Sequence, residues 1–312
     1  QNVTAVRMHC SDRKEDKIMV GKQERRYQRM ITVVLALISL IMVIPLVLLV
    51  VASFTSNNEI VLHGYSFFPK ELSLEAYRYI WNERAQVFHA YGITILVTAI
   101  GTTIGVMMTL LYAYVLAHEK FPGKTFLAFY LFFTMLFNGG LVPTYIMYTR
   151  YLHMKNTIPA LIIPGLLMSA FNVILTRTYI QSNVPAALSE AAKIDGATEF
   201  QVFRKVVLPM CKPIIATVGL FAGLGYWNDW TNGLYYITDT NKFSIQQLLN
   251  NMIKNIEFLS KNANSNINLA SVGGGIPQET VRMAIAIVGL LPILIVFPFV
   301  QKYFVKGISI GA

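Results

Sequence analysis

Charge is what this chain has least of. Asp, Glu, Lys and Arg together make up 13% of its 312 residues, against 54% apolar residues. Soluble domains carry about a quarter charged residues, so this balance excludes a water-soluble globular fold and points to a bilayer. Cysteine is nearly missing as well. Cys10 and Cys211 show no framework spacing and no paired-thiol motif, which excludes a disulfide scaffold and a thiolate zinc site. The five histidines are scattered and suggest no metal cluster. His118-Glu119 is not followed by a second histidine at metalloprotease spacing, and no Gly-x-Ser-x-Gly occurs. Gly123-Lys124-Thr125 echoes the end of a phosphate-binding loop, but His118 stands where its first glycine belongs. Neither a catalytic residue nor a cofactor is expected in this chain. The net charge of +10 raises nucleic acid as a partner, yet the basic residues form no stripe interleaved with aromatics, so none is expected.

What the chain does have is six long apolar runs. A helix needs about 20 apolar residues to cross a hydrocarbon layer of roughly 30 Å, because its backbone groups must bond within the segment. The runs Ile31–Ser53, Ala90–Ala117, Thr125–Thr149, Thr157–Thr176, Pro213–Asn228 and Met283–Gln301 contain no Lys, Arg, Asp or Glu. A charge at mid-bilayer costs about 2.5–3.5 kcal/mol, so that absence favours lipid spans over buried soluble helices. The pattern predicts an all-α polytopic membrane protein with six transmembrane helices. A tail over 1–30 precedes a membrane domain over 31–312, and the first 20 residues carry no assignment.

Loop charges set the orientation. The tail, the link 118–124, the segment 177–212 and the end 302–312 hold 17 Lys and Arg in 84 residues, while the opposite loops hold 9 in 97. The positive-inside rule then puts both termini in the cytoplasm. Lys22, Arg25, Arg26 and Arg29 precede the first run as they would in a secretory signal. That run is longer than a signal core and five more follow, so it reads as a retained helix. Asn2-Val3-Thr4 fits a glycosylation pattern but falls on the cytoplasmic side.

Gly101 and Gly105, four apart in the second run, suit close helix packing. Asn138-Gly139-Gly140, Pro143, Pro159 and Pro164 break the third and fourth runs. Broken helices survive at membrane depth where protein or a watery cavity satisfies the backbone, so these two runs are expected to line the bundle interior.

The loop over 183–209 reads as two short helices. Asn183 is a candidate cap with Pro185 in the first turn, and Gly196 ends the first helix. Thr198 and Gln201 stand at capping-box spacing for a second helix that stops near Pro209. Ala191, Ala192, Gly196 and Ala197 give a smooth face beside a stripe of Phe200, Phe203 and Val207. A loop outside the membrane has nowhere to hide that stripe, which suits insertion into a groove on a partner, with Glu190 and Asp195 open to an arginine there. The competing expectation is an amphipathic helix lying on the bilayer surface.

Glu190-Ala191-Ala192, Gly196, Val206 and Leu208-Pro209, at their spacing, resemble the EAA loop of ABC importer permeases, which more often have Ile at the Val206 position. The six matches other than Val206 arise by chance on the order of once in 10⁵ chains of this length. Asp195, Ala197 and Phe203, with Trp227-Asn228-Asp229-Trp230, make the chain similar to the MalG-like carbohydrate permeases. Asn138-Gly139-Gly140 and the long segment 231–280 resemble the polysaccharide and alginate subgroup of LplC or YtcP type. The resemblance implies a type I permease fold in a bacterial plasma membrane. It implies a second permease subunit, an ABC ATPase dimer holding the ATP and Mg, and an extracellular sugar-binding protein. Glu190 would pair with an ATPase arginine, and Gly196 would permit the turn between the coupling helices. The family's C-terminal tail also reaches the ATPase; here it ends Gly311-Ala312 instead of the common Val-Lys-Gly.

Sugars are held by aromatic rings and amides. Tyr226, Trp227, Asn228 and Trp230 at the end of the fifth run have that chemistry, and Asn138 and Asn172 are lone amides inside spans. The competing roles are an interfacial aromatic belt and helix-to-helix bonds. The loop 231–280, rich in Asn and ending near Gly273-Gly274-Gly275, either meets the binding protein or is passive. An ion-coupled secondary sugar transporter is the rival function; it requires a carboxylate in a span or an inverted repeat, and neither is apparent.

Overall fold

The computed structural model describes residues 22–118, 121–263 and 278–308. Among them the fold is helical, with a single isolated β-bridge joining Thr55 to Leu72. The helices are α1 (Lys22–Ser53), α2 (Asn57–His63), α3 (Glu75–Asn82), α4 (Arg84–Ala117) and α5 (Lys124–Leu136). Then come α6 (Leu141–Tyr151, its last turn a π turn), α7 (Pro159–Ile162), α8 (Ala170–Asn183) and α9 (Ala186–Ile194). The chain closes with α10 (Glu199–Met210), α11 (Lys212–Trp227), α12 (Thr231–Tyr236), α13 (Ile245–Ala263) and α14 (Gln278–Ile308).

Among the described residues, three of the six expected spans are single helices long and apolar enough to cross a membrane, and the count reaches five if each bent helix pair is one span. The first, second and sixth are the continuous helices α1, α4 and α14. The third is the pair α5 and α6, bent by 113°. At that bend Asn138 Oδ1 accepts the Gly140 N–H at 2.9 Å, and Gly140 takes φ +82°, a conformation that glycine adopts without strain. The fourth is interrupted between α7 and α8, where Pro164 cannot donate and Gly165 sits at φ +73°. The fifth, α11, meets α10 at 81°. The third and fourth runs also part company: α8 packs inside the bundle, whereas α5 buries only Leu131 and leaves Asn138-Gly139-Gly140 exposed in this chain.

Two apolar clusters form the core. One gathers α3, the first half of α4, α13 and α14 around Ile80, Val97, Leu248 and Ile285. The other gathers the second half of α4, α8, α10 and α11 around Leu116, Val173, Phe203 and Ile214. Between them α4 and α11 cross closely. A Cβ at Gly101 would run into the Tyr226 ring, and one at Gly105 would stand 2.7 Å from the Leu167 carbonyl oxygen. The glycine pair is thus a packing face within the chain.

The segment 231–280 is not a loose loop where it is described. Ile245, Leu248, Leu249, Met252 and Ile256 are buried along one face of α13, the i, i+3, i+4, i+7 pattern of an amphipathic helix. Gly273-Gly274-Gly275 and Gly311-Ala312 lie outside the described residues, as do residues 1–20. The α4–α11 crossing is testable. Gly101→Val should destabilise by about 1–3 kcal/mol, as overpacking does, and lower the melting temperature of the detergent-purified subunit. Adding Tyr226→Ala to that variant should recover part of the loss.

Candidate coupling loop and translocation cavity

The loop 183–209 folds as a helix, a tight turn and a helix. Its first helix, α9, starts after Pro185, whose fixed φ is suited to a helix entry. Asn183 does not cap it. Asn183 ends α8, and its Nδ2 donates to the Tyr179 carbonyl at 3.1 Å. The turn after α9 uses Gly196 at φ +84°, with its N–H on the Lys193 carbonyl at 3.0 Å and the Ala197 N–H on Ala192 at 2.9 Å. These bonds satisfy the last carbonyls of α9. Thr198 and Gln201 then form the expected capping box: the Gln201 N–H donates to Thr198 Oγ1 at 3.4 Å, and the Thr198 N–H to Gln201 Oε1 at 2.9 Å.

Glu190, Ala191, Asp195, Gly196 and Phe200 lie exposed on the outer side of this turn, and Ala192 and Ala197 are half-buried. Ile194, 86% exposed, joins Phe200, 65% exposed, as an apolar residue with no cover in this chain; its place amid polar neighbours in the motif was the available signal. The expected stripe of Phe200, Phe203 and Val207 does not hold together. Phe203 and Val207 are buried with Val202 against α4 and α8, while Leu208 is half-buried and Pro209 exposed. The cause is the π turn over Phe203–Val207. It carries an extra residue, so a 3.6-residue period cannot be drawn across it. Pro209 follows that turn, and its missing N–H and crowding ring explain why regular helix gives way there.

The aromatic end of α11 is largely committed to structure. Tyr226 is buried, its hydroxyl donating to the Ile162 carbonyl at 2.9 Å. Trp227 Nε1 donates to the Gly289 carbonyl at 3.4 Å, and its ring lies 6.3 Å from that of Tyr91. Asn228 Nδ2 bonds back to the Leu224 carbonyl at 3.0 Å. Asp229 Oδ1 accepts the N–H groups of Thr231 and Asn232 at 3.0 and 3.2 Å, capping α12; burial pushes its carboxyl above the usual range despite those bonds. Trp230 remains exposed, with the Lys254 ammonium 5.9 Å above its ring.

Asn172 is different. It is 8% exposed, no hydrogen bond of its amide is seen among the described residues, and it faces a cavity of about 410 Å³. That cavity lies between α4, α8, α11 and the break after α7, lined also by Gly105, Thr109, Ser169, Phe171 and Phe221. Its lining residues include amide, hydroxyl and aromatic groups and no ionisable side chain. Thr109, Ser169 and Phe221 carry no mark in the sequence that separates them from other span residues. A second, apolar hollow of about 520 Å³ runs along α4, α11 and α14 and includes Trp227. Asn138 lines neither. Among the described residues no group of three His, Cys, Asp or Glu could hold a metal ion.

Comparison with known proteins agrees with this architecture. Residues 101–310 match the family described as binding-protein-dependent transport system inner membrane component. The chain is 34% identical over 290 residues to the polygalacturonan/rhamnogalacturonan transport system permease protein YtcP of Bacillus subtilis, covering 93% of this chain and 99% of that one. It is 34% identical over 272 residues to protein LplC of the same organism, covering 87% and 89%. Its fold matches a chain of a bacterial ABC transporter involved in import of the acidic polysaccharide alginate, with TM-score 0.72, 27% identity and coverage of 92% and 99%. On these grounds the chain belongs to the binding-protein-dependent inner membrane components: it is a multi-pass permease subunit of an ABC importer, a transport component served by an ATPase and a substrate-binding protein.

Proposed function

We propose that this subunit forms half of a translocation path for oligosaccharides or polysaccharide fragments, beside a second, different permease subunit. The observation that carries the coupling part is the exposed turn of α9 and α10. Glu190, Ala191, Asp195, Gly196, Ile194 and Phe200 lie uncovered on a framework whose other side is packed into the bundle. Such a turn fits a cleft of an ATPase dimer, which holds ATP and Mg, and transmits its closure as rigid-body motion. The cargo class rests on the relatives, whose names include polygalacturonan and alginate transport. The cavity beside Asn172 supports it: an amide with no hydrogen bond among the described residues, and hydroxyls beside it, are the groups that read sugar hydroxyls. Both termini face the cytoplasm, which puts α12 and α13 toward the extracellular binding protein; the excess of Lys and Arg at the opposite loops supports that orientation.

Glu190→Ala and Gly196→Asp should each abolish uptake of labelled oligosaccharide in cells while the subunit stays in the membrane at normal level. Normal transport by both would remove the coupling role. Asn172→Leu should reduce uptake several-fold, the effect of one lost hydrogen bond of about 1 kcal/mol, with ATP hydrolysis by the complex maintained; unchanged uptake would take the cavity out of the path. For orientation, with Cys10 and Cys211 replaced, a cysteine at Thr240 should react with an impermeant maleimide in intact cells and one at Ala186 should not. The reverse pattern would invert the topology.

A further inference from the structure

The helix α9 carries most of the exposed turn, yet it buries no residue of its own. Its neighbour α10 is anchored by Val202, Phe203 and Val207, and α9 meets that core only through the half-buried Ala192, so a further connection from α9 into the bundle bears directly on how rigidly it is held. One exists at Glu199, the first residue of α10. Tyr114, near the end of α4, donates its hydroxyl to Glu199 Oε2 at 3.0 Å. Lys193, in the last turn of α9, places Nζ 2.5 Å from Glu199 Oε1. The same ammonium lies 3.2 Å from His118 Nε2, which is itself 3.7 Å from Glu199 Oε2. The Tyr114 ring is wedged between Phe203 and His118, with centroids 5.2 and 5.1 Å away.

We propose that Lys193, Glu199 and Tyr114 form a polar strut that makes α9 move with α4, and that these three are positioning residues for coupling. The inference rests on the proposed role of the exposed turn in meeting an ATPase. Three elements meet at one carboxylate: the last turn of α9, the first turn of α10 and the last turn of α4. The destination matters. Thr109, on the wall of the cavity that holds Asn172, lies on α4 about 7.5 Å along the axis from Tyr114 at 1.5 Å per residue. Displacement of α9 is thereby delivered to the cavity wall through one rigid helix. The Lys193 ammonium, followed by the Tyr114 hydroxyl, holds the Glu199 carboxyl below its ordinary range, so it stays charged at neutral pH. Its side chain is 60% exposed, and exposed pairs add little to stability. The strut therefore affects transmission more than folding.

The test uses the complete importer in proteoliposomes, with uptake and ATP hydrolysis measured on the same preparations. Glu199→Ala should cut uptake about tenfold, within the range of couplings in a contacting network, while hydrolysis, assembly and melting temperature hold. Tyr114→Phe should fall in between. The exchange Lys193→Glu with Glu199→Lys should restore uptake well above either single variant. Undiminished uptake in Glu199→Ala, a parallel loss of uptake and hydrolysis, or an exchange no better than the single variants would each overturn the strut. Glu190→Ala and Gly196→Asp run alongside separate the two readings. If both transport normally the ATPase contact itself is wrong; if they fail while Glu199→Ala transports normally, only the strut is wrong.

Discussion

The architecture depends on how closely α4 can be approached. In lipid there is no hydrophobic gain in bringing two helices together, so association relies on close backbone packing and hydrogen bonds. Gly101 supplies the approach: the Tyr226 ring occupies the space a side chain would need, and from there its hydroxyl reaches the Ile162 carbonyl. Toward one end of α4, Thr94 Oγ1 donates to the Ala90 carbonyl at 2.9 Å and accepts the Ile245 N–H at 2.8 Å, fixing the start of α13. Toward the other, Tyr114 meets Glu199. One helix thus sets the positions of the α13 face, the cavity and the α9–α10 turn.

The breaks in the bundle follow from the same shortage of water. An unsatisfied carbonyl at membrane depth costs several kcal/mol, and the interruption after α7 frees carbonyls. Two are met by side chains from elsewhere: Ile162 by the Tyr226 hydroxyl and Pro164 by Asn232 Nδ2 at 2.9 Å. Because Pro164 and Gly165 end the helix there, the chain between α7 and α8 opens out, and the cavity beside Asn172 occupies that opening. The bend between α5 and α6 is handled differently. Asn138 Oδ1 satisfies the Gly140 N–H locally in an Asx turn, and Asn138 lies exposed outside both cavities, whereas Asn172, alike in sequence, is buried and faces one.

How much of this the residues alone could reveal depended on the range of the interaction. The span positions followed from the absence of charge over long runs, a property of each segment by itself. The α9–α10 turn was equally legible, since Gly196, Thr198 and Gln201 act on backbone groups within four residues. Asn183 was misread because an Asn serves the end of one helix as readily as the start of the next, and only the length of α8 decides. Phe203 was misread because a π turn shifts the period. α13 had a readable apolar face, hidden by the many Asn residues on its other side. The aromatics at Tyr226 and Trp227 could not have been resolved: their chemistry suits a sugar, and their commitment to Ile162 and Gly289 depends on segments distant in the chain.

The inward turn of Phe203 changes the mechanics of the loop. Burying a Val or Phe side chain contributes about 1.5–3 kcal/mol, so Val202, Phe203 and Val207 hold α10 to α4 and α8 far more firmly than any surface ion pair could, at about 0–1 kcal/mol. A stripe facing outward would have put that energy into the contact with a partner and left the loop loosely tied to its own bundle. With the stripe facing inward, α10 is part of the bundle, and the uncovered face of the turn is formed by Leu188, Ile194, Phe200 and the small and charged residues of α9. Such a contact can release and re-form without disturbing the core, whereas the α10 anchor persists through each displacement. If the turn meets an ATPase as proposed, force would pass from a modest contact outside to a stiff joint within, the order that a repeating cycle of rocking requires.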